Sequence, residues 1–516
     1  MKGKKNWPVL ALLGWLLLLA GCSSLPQQTE RTPSHALTNT VDTRIGRAIA
    51  PVVAQHPERS GFHALSIGLD ALVARIGMVR AAERSLDLQY YIWHDDTSGR
   101  VLLYEVLAAA DRGVRVRLLL DDLDTAGKDK GLAIIDAHPN VEIRLFNPFA
   151  NRNRRALDFA TDFSRVNRRM HNKSITADAQ ATIVGGRNVG NEYFGGESHA
   201  EFSDLDVLAI GPVVADVGVA FDQYWNSEWA VPLAAFPGEK ASADDLVSLR
   251  KKLKDFLLEA EKTPYAHALQ ESDLVQSGGL KADSFVWGRF LLLYDSPEKV
   301  AGIESSAATH VGPQLSALLG QVQQELIIIS PYFVPGDTLV QALGEMVKRG
   351  VKVRILTNSL AANDVAVVHA GYMRYREDLL RAGVDLYEFK PRVTQDVKQK
   401  KKWTGASHAS LHAKTFAGDR RFVFVGSFNL DPRSAELNTE MGVIFESPEL
   451  AGNLGRVFER ELLDHAYKLA LDEDGDLYWT TRENGSKIRI QQEPETGWWQ
   501  RVSTRVLSVF VVESLL

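Results

Sequence analysis

The sequence predicts an α/β protein made of two tandem, related domains. The motif H-x-K-x-x-x-x-D occurs at 171–178 and again at 412–419, and a constant offset of 241 residues relates the two copies. Each half also contains a strand–helix–strand pattern, at 85–124 and at 325–358. A strand, a short helix and a second strand form a parallel βαβ unit. The repeat therefore covers whole domains, which we expect to pack around a pseudo-twofold axis.

The N-terminus has the features of a targeting segment. Three lysines in the first five residues precede an apolar run at 7–19, which is short for a transmembrane helix and normal for a signal sequence. The run closes with Leu19-Ala20-Gly21-Cys22, which resembles a bacterial lipobox, and Cys22 is the only cysteine among 516 residues. We therefore predict a lipoprotein signal over 1–22 with Cys22 lipidated. A plain secretory signal and a short anchor are the alternatives.

The anchor predicts where the protein is located. Acyl chains on Cys22 would tether it to a bilayer. Ser23 follows the cysteine and favours a periplasm-facing lipoprotein on the outer rather than the inner membrane. Residues 23–58 are predicted to be a flexible tether, because the first part of this segment is rich in Ser, Thr, Pro and Gln.

The composition favours a globular enzyme and disfavours a nucleic-acid-binding protein. The chain is 45% hydrophobic and 24% charged, as expected for a large globular enzyme, and its net charge is −6. Binding to a phosphate backbone normally needs a broad basic surface, so the composition disfavours nucleic acid as the main partner. With one cysteine, the chain has no pair for an internal disulfide.

Sequence periodicity divides the globular part into four segments. We predict a first domain at 59–235, a helical linker at 236–285, a second domain at 286–470 and a C-terminal extension at 471–516. The linker contains the capping-box pattern Ser242-Ala243-Asp244-Asp245, followed by leucines at helical spacing. The extension ends in an apolar stretch with two tryptophans, which either packs on the protein body or contacts a membrane surface.

The repeated motif supplies the candidate catalytic groups. In an extended strand, residues i and i+2 share a face, so His171 and Lys173 point the same way, as do His412 and Lys414. Around a twofold axis all four side chains would converge at the domain interface, where such sites are common. Asp178 and Asp419 complete the catalytic candidates. They follow a short turn, so a structural role through hydrogen bonds or a salt bridge is equally compatible with the pattern.

Two imidazoles and two ammonium groups suit phosphodiester chemistry. One histidine would attack phosphorus and form a covalent intermediate, while the other protonates the leaving oxygen and later activates the acceptor. Groups predicted to contact the phosphoryl oxygens or to support them are Asn188, Ser427 and Asn429. Asp204 and Glu440 are candidates to orient the histidines. We predict no metal site, because the histidines lack H-x-x-x-H or H-x-H spacing and no cysteine pair is present.

The motifs and their surroundings resemble a known family. The paired H-x-K-x-x-x-x-D motifs, with Gly185-Gly186-Arg187-Asn188 and Gly426-Ser427-Phe428-Asn429, resemble the phospholipase D superfamily. Further stretches, among them 90–96, 188–194 and 428–434, are similar to its cardiolipin synthase branch, C type. The resemblance spans about residues 60–516. It implies two α/β/α domains with mixed sheets and neither metal nor other cofactor. It also implies that His171 is the nucleophile and His412 the acid.

These observations together predict a membrane-tethered phosphatidyltransferase that acts as a monomer. Its substrates would be phosphatidylglycerol and phosphatidylethanolamine, and its acceptor a glycerol hydroxyl of phosphatidylglycerol. Three alternatives remain open: a hydrolase that releases phosphatidic acid, a nucleic-acid phosphodiesterase and a non-catalytic lipid-binding protein. Basic runs at 152–169 and 390–402 precede the two motifs, and we expect them to rim the cleft and attract anionic lipid.

Overall fold

Two mixed β-sheets, one in each half of the chain, form the body of the protein. In a computed structural model, residues 31–195, 201–238, 241–276, 281–302, 309–391 and 409–510 are described. The predicted signal segment with Cys22 and the lysines of 398–402 lie outside these ranges.

The described strands are numbered β1 to β21 in chain order. They are β1 Ser60–Leu65, β2 Ser85–Tyr90, β3 Arg115–Asp121, β4 Val141–Phe146, β5 Ser174–Ala177, β6 Ala181–Gly185, β7 Glu201–Ser203, β8 Asp206–Ile210, β9 Ala230–Pro232, β10 Val286–Gly288, β11 Phe290–Tyr294, β12 Glu325–Ile329, β13 Lys352–Asn358, β14 Asp385–Phe389, β15 Ala409–Leu411, β16 Lys414–Gly418, β17 Phe422–Gly426, β18 Met441–Glu446, β19 Ala466–Leu471, β20 Leu477–Glu483 and β21 Ser486–Ile490.

The described helices are numbered α1 to α18. They are α1 Arg44–Val53, α2 Gly68–Ala81, α3 Thr97–Asp111, α4 Asp129–Asp136, α5 Arg155–Thr161, α6 Phe163–Val166, α7 Asn191–Phe194, α8 Val213–Trp225, α9 Ala243–Ala260, α10 Pro264–Gln270, α11 Asp273–Gln276, α12 Val311–Leu319, α13 Gly336–Lys348, α14 Ala366–Met373, α15 Arg376–Arg381, α16 Pro448–Arg460, α17 Leu462–His465 and α18 Trp498–Phe510.

The two sheets repeat one topology. The first has the order β10-β1-β8-β6-β5-β2-β3-β4-β9, and the second has the order β11-β18-β17-β16-β12-β13-β14-β19-β20-β21. In each, three neighbouring strands run parallel and the others antiparallel. The predicted parallel βαβ units are β2-α3-β3 and β12-α13-β13. The predicted class, two α/β domains with mixed sheets, is confirmed.

The strands that carry the motifs are buried because apolar layers cover both faces. All four residues of β5 and all five of β16 are buried. A separate apolar cluster joins the halves, and in it Phe62 of the first sheet stacks on Phe445 of the second with ring centroids 4.2 Å apart. Burying large apolar side chains contributes about 1.5–3 kcal/mol each, so this cluster favours one fixed arrangement of the halves.

The segment between the halves is helical. Ser242 caps α9, and the side chain of Asp245 returns a bond to the cap, so the capping box that the sequence predicts is present. Helix α9 packs against α3 and α4 of the first domain. Strand β10 pairs with β1, so residues 286–288 of the predicted second domain belong to the first sheet. No helix in the described ranges is both long enough and apolar enough to cross a membrane.

Candidate active site

The two halves meet where each motif begins, and their backbones cross there. The amide of His171 donates to the carbonyl of Thr439 at 2.8 Å, and the amide of His412 donates to the carbonyl of Ser203 at the same distance. A parallel bridge joins Met170 to Thr439, and β7 pairs with β15 in parallel. His171 therefore lies beside residue 440, which follows Thr439, and His412 lies beside residue 204, which follows Ser203.

That partner is a carboxylate in both cases. Nδ1 of His171 lies 2.9 Å from Oε2 of Glu440, and Nδ1 of His412 lies 2.7 Å from Oδ2 of Asp204. The histidines are 8% and 6% exposed. Both orienting carboxylates were candidates from the sequence. The structure adds that each belongs to the opposite domain from the histidine it contacts, so neither domain holds a complete site.

The lysines follow the histidines by two residues: Lys173 directly precedes β5, and Lys414 begins β16. Nζ of Lys173 donates to the carbonyl of His171 at 2.5 Å. Nζ of Lys414 donates to the carbonyl of His412 and lies 2.9 Å from its Nδ1. Burial lowers the pKa of Lys173 well below its ordinary value and that of Lys414 to about 8. Burial thus disfavours the charge of both lysines, and the nearby carboxylates Asp204 and Glu440 help to retain it.

The two lysines lower the pKa of both histidines, so the four side chains interact across the domain interface. Burial lowers the pKa of His171 well below 6.5, and the charges of Lys173 and Lys414 lower it further. Burial and Lys414 lower the pKa of His412 to about 4, and Lys173 contributes from the other half. Each lysine therefore acts on the histidine of the other domain. A lowered pKa keeps His171 unprotonated, as a nucleophile requires, whereas the charge and hydrogen bond of Asp204 favour a proton on His412.

The two carboxylates differ in their surroundings. Burial raises the pKa of Glu440 to about 7, although Lys173 and two serines oppose the shift. Burial would also raise the pKa of Asp204, but the charge and hydrogen bond of His412 outweigh it and hold this pKa below its ordinary value. Asp204 is therefore the more firmly ionised carboxylate, and the two histidines are not electrostatically equivalent.

The predicted phosphate-contacting residues divide into different roles. Asn188 bonds protein groups through both ends of its amide: Oδ1 accepts from the amide of Ile92 and Nδ2 donates to the hydroxyl of Tyr193. The hydroxyl of Ser427 donates to Glu440. Asn429 is buried, and its Oδ1 has no hydrogen-bond partner among the described residues. Asn188 and Ser427 thus support the site from behind.

Sequence reasoning missed several residues that shape the site. Ser434, in a short π-helix at Arg433–Leu437, donates to Oε1 of Glu440 at 2.8 Å. The rings of Tyr91 and Tyr193 lie edge-on to His171 and His412, with centroids 5.0 and 5.2 Å apart. Tyr91, Tyr193 and Ser434 all lie in the stretches that carry the family resemblance, which was the available signal.

The ends of β3 and β13 also support the histidines. Oδ2 of Asp121 accepts from the amide of Met170 at 2.8 Å, and Oδ1 of Asn358 accepts from the amide of Leu411 at 2.9 Å. Met170 and Leu411 directly precede the two histidines. A polar residue at the end of the second strand of each βαβ unit therefore holds the approach to each histidine. Both positions are visible in the sequence as the strand ends Asp121-Asp122 and Thr357-Asn358.

Asp178 and Asp419 bond to backbone amides at the far end of each motif strand. The carboxylate of Asp178 accepts from the amides of Glu83, Arg84 and Ser85. That of Asp419 accepts from the amides of Gln323, Gln324 and Glu325. Six residues of largely extended chain, roughly 20 Å, separate each aspartate from its histidine. The structure thus favours the loop-holding alternative, and the positive φ of both residues, 52° and 51°, suits a turn.

This role predicts a loss of stability without a loss of chemistry. Asp178→Asn should lower the free energy of unfolding by about 1–3 kcal/mol, because an amide nitrogen then replaces one of the oxygens facing three backbone donors. Asn tolerates the same positive φ, so the backbone is not strained. Urea unfolding checks this, with the exposed Asp474→Asn as the control. Full stability with lost activity per folded molecule would return Asp178 to the catalytic set.

Comparison with known proteins decides the family. A family model described as "Cardiolipin synthase, PLD-like domain" matches residues 76–225 and 315–462. The chain belongs to this phospholipase D-like family. Cardiolipin synthase C of Escherichia coli (strain K12) is 46% identical over 481 residues, which cover 92% of this chain and 100% of that protein. The resemblance to the C-type branch is confirmed.

More distant relatives extend the comparison. An uncharacterized protein of Helicobacter pylori (strain ATCC 700392 / 26695) is 30% identical over 501 residues, covering 93% of this chain and 95% of that protein. The crystal structure of phosphatidylserine synthase from Haemophilus influenzae Rd KW20 has a TM-score of 0.56 at 15% identity, covering 90% of this chain and 99% of that chain. This structure shares the fold of the cardiolipin synthase family member described here.

Three arginines of the first basic run are paired within the protein. Arg169 is buried and pairs with Asp121 at 3.1 Å. Arg152 and Arg155 pair with the buried Asp122 at 2.7 and 3.3 Å. These arginines instead anchor the loop that leads to the first motif of the family. In the second run, Lys390 donates to the carbonyl of Arg482, and the lysines at 398–402 lie outside the described residues.

One group of three side chains near the site has metal-ligand chemistry. Ligand atoms of His94, Asp96 and Glu192 lie within 4.8 Å of one another. Nδ1 of His94 already contacts Glu192 at 3.0 Å. The carboxylate of Asp96 caps α3 and accepts from the amide of Asn191 at 2.7 Å. These contacts account for the cluster as internal support of the first domain.

Proposed function

We propose that this protein is a phosphatidyltransferase that moves a phosphatidyl group from one phospholipid to a glycerol hydroxyl of phosphatidylglycerol, giving cardiolipin. The observation that carries the proposal is the pair of buried histidines, each held by a carboxylate of the other domain. The 46% identity to a cardiolipin synthase C over that protein's full length supports the substrate class. The donor would be phosphatidylglycerol or phosphatidylethanolamine.

In the first step, Nε2 of His171 attacks phosphorus. The bond from phosphorus to the headgroup oxygen breaks, and His412 delivers a proton to the leaving glycerol or ethanolamine. In the second step, His412 takes the proton of the acceptor hydroxyl, whose oxygen attacks phosphorus, and the phosphorus–nitrogen bond to His171 breaks. Lys173 and Lys414 stabilise the charge that builds on the non-bridging oxygens.

The unequal carboxylates support this division of roles. A nucleophilic imidazole must be neutral, and the pKa of His171 is lowered well below 6.5 by burial and two lysines. A proton carrier gains from a firmly ionised partner, and Asp204 beside His412 is such a partner because its pKa is held low. The imidazolium of His412 would therefore form more readily than that of His171. Both histidines and both carboxylates come from one chain, which supports a monomer as the active unit.

The acceptor decides between transferase and hydrolase. Purified protein in vesicles of phosphatidylglycerol, with and without phosphatidylethanolamine, should produce cardiolipin detectable by mass spectrometry. Phosphatidic acid without cardiolipin would instead identify a hydrolase, because water then replaces the lipid hydroxyl. Absence of lipid turnover together with cleavage of single-stranded DNA would favour a nucleic-acid phosphodiesterase. His171→Ala is the matched blank for all three assays.

The surface of α18 supports contact with a membrane. This helix exposes Trp498 (58%), Trp499 (75%) and Val509 (77%) on an amphipathic surface beside Arg501 and Arg505. Tryptophans suit the membrane interface because their rings are apolar with one polar edge. A lipidated Cys22 would add a tether to the outer membrane. The later part of the predicted tether at 23–58 packs on the first domain instead, because the amide of Ala36 donates to Asp222 at 2.9 Å and α1 spans Arg44–Val53.

Replacing Trp498 and Trp499 by Ser should weaken binding to vesicles of phosphatidylglycerol by roughly tenfold. Burying two aromatic side chains in the membrane interface should contribute at least about 1.4 kcal/mol to binding. Sedimentation of the protein lacking residues 1–22 with vesicles measures this without the lipid anchor. Leu258→Ser, at a 49% exposed position on α9, is the control. Equal binding by the double variant and the control would assign α18 to packing alone.

A further inference from the structure

A cavity of about 340 Å³ lies beneath the linker helix α9, next to the first histidine. Its volume falls within the range of small-molecule sites. The apolar wall is formed by Leu103 of α3, Leu118 and Leu120 of β3, Leu132 of α4, and Leu249 and Leu253 of α9. The cavity opens at the carboxyl ends of the parallel strands β2 and β3, which is where α/β sheets bind ligands.

The inner end of the cavity adjoins the phosphoryl site. Tyr91 lines the cavity, and its ring centroid lies 5.0 Å from the ring of His171 and 5.3 Å from Nζ of Lys173. Asp121 also lines it and accepts from the amide of Met170, the residue before His171. A molecule whose phosphorus is on His171 could therefore continue past Tyr91 into the cavity.

The polar groups of the cavity wall indicate what kind of ligand fits. Arg100 pairs with Asp95 at 2.7 Å, and Lys128 pairs with Asp124 at 2.6 Å. Asp121 pairs with Arg169 at 3.1 Å. The fixed charges of these wall residues are thus compensated within the protein, and the remaining surface is mainly apolar. The polar groups of a sugar or nucleotide would lose water here without gaining hydrogen-bond partners, which is unfavourable. A hydrocarbon chain has no polar groups and incurs no such cost.

We propose that this cavity holds one acyl chain of the phosphatidyl group while its phosphorus is bound to His171. The inference rests on the proposed function and adds that the site selects lipids by chain length. It also gives the linker a role, because Leu249 and Leu253 of α9 close the cavity. Each buried methylene strengthens binding by about fourfold, so truncated chains should be poor substrates.

The first test fills the cavity from the linker. Leu253→Trp should lower kcat/KM for dipalmitoyl-phosphatidylglycerol at least tenfold and leave that for dihexanoyl-phosphatidylglycerol within twofold. Both lipids are presented in the same mixed detergent micelles. Val247→Trp, on the same helix at a 62% exposed position, is the matched control and should resemble the unmodified protein with both lipids. Equal losses on long and short chains would overturn the proposal.

The second test uses the unmodified chain, so it does not depend on how the variant folds. A phosphatidylglycerol with a diazirine at one acyl-chain end is photolysed on the protein, and labelled peptides are mapped by mass spectrometry. Labels within 97–136 and 243–260, displaced by dipalmitoyl-phosphatidylglycerol, support the cavity. Labels confined to other segments overturn it. Failure of the unmodified protein to turn over any phospholipid contradicts the proposed function, while the label positions still decide the cavity.

Discussion

His171→Ala should abolish both turnover and the covalent intermediate, whereas His412→Asn should slow turnover strongly and keep the intermediate. The difference arises because His412 acts on the leaving group and not on phosphorus. A substrate with a good leaving group, such as a p-nitrophenyl phosphodiester, needs no proton from an acid. On that substrate His412→Asn should release about one equivalent of p-nitrophenolate per enzyme and then stop, because no base remains to activate the acceptor.

With a natural lipid, His412→Asn should lose roughly 10²–10⁴-fold in rate, the range of general acid–base catalysis. Rapid mixing followed by the intact mass of the protein, quenched in denaturant at alkaline pH where a phosphorus–nitrogen bond survives, measures the intermediate directly. Asn438→Ala, at a buried position whose Oδ1 accepts from the amide of Arg169, controls for simple disturbance of the interface. A burst in His171→Ala and none in His412→Asn would exchange the two roles.

Local sequence pattern predicts the parts of this site but not how they are joined. The position of Lys173 beside His171 follows from the period of a strand, and the equivalence of Asp204 and Glu440 follows from aligning the halves. That Glu440 contacts His171 depends on the bridge between Met170 and Thr439. Such a bridge is set by the packing of two domains hundreds of residues apart, which periodicity within one half does not encode.

Two expectations depend on contacts that the local sequence pattern does not encode. The motif joins Asp178 to the histidine in sequence, yet a strand places the residues at its two ends at opposite ends of the sheet. The arginines at 152–169 precede the first motif in a chain of net negative charge, which favours a basic rim around the cleft. Three of them instead meet Asp121 and Asp122 at the end of β3. In both cases the hydrogen-bond or ion-pair partners belong to a distant part of the sequence, beside β2 for Asp178 and at the end of β3 for the arginines.

Each orienting carboxylate should matter about as much as a catalytic group, although neither would touch the substrate. Asp204→Asn and Glu440→Gln should each lower kcat/KM by roughly 10²–10⁴-fold, because an amide can no longer hold Nδ1–H of its histidine and favours the wrong tautomer. Added to His412→Asn, Asp204→Asn should cost little more, since groups that act as one unit are not additive. A full additive loss would mean that Asp204 acts apart from His412.

The pH profile separates orientation from simple structural support. Burial raises the pKa of Glu440 to about 7, so this carboxylate loses its charge as the pH falls through 7 and accepts the proton of His171 less well. Lys414 loses its charge as the pH rises through its pKa of about 8. The profile of kcat/KM should therefore be a narrow bell between these values.

In Glu440→Gln the acidic limb near pH 7 should vanish, because glutamine does not titrate, and a low rate should persist to more acidic pH. In Asp204→Asn the acidic limb near pH 7 should remain. The pKa of Asp204 is held below its ordinary value, so the protonation of Asp204 does not cause that limb. Both rates are measured on dihexanoyl-phosphatidylglycerol below its micellar concentration, which removes surface effects. An unchanged acidic limb in Glu440→Gln would assign the titration to another group and leave Glu440 a structural role.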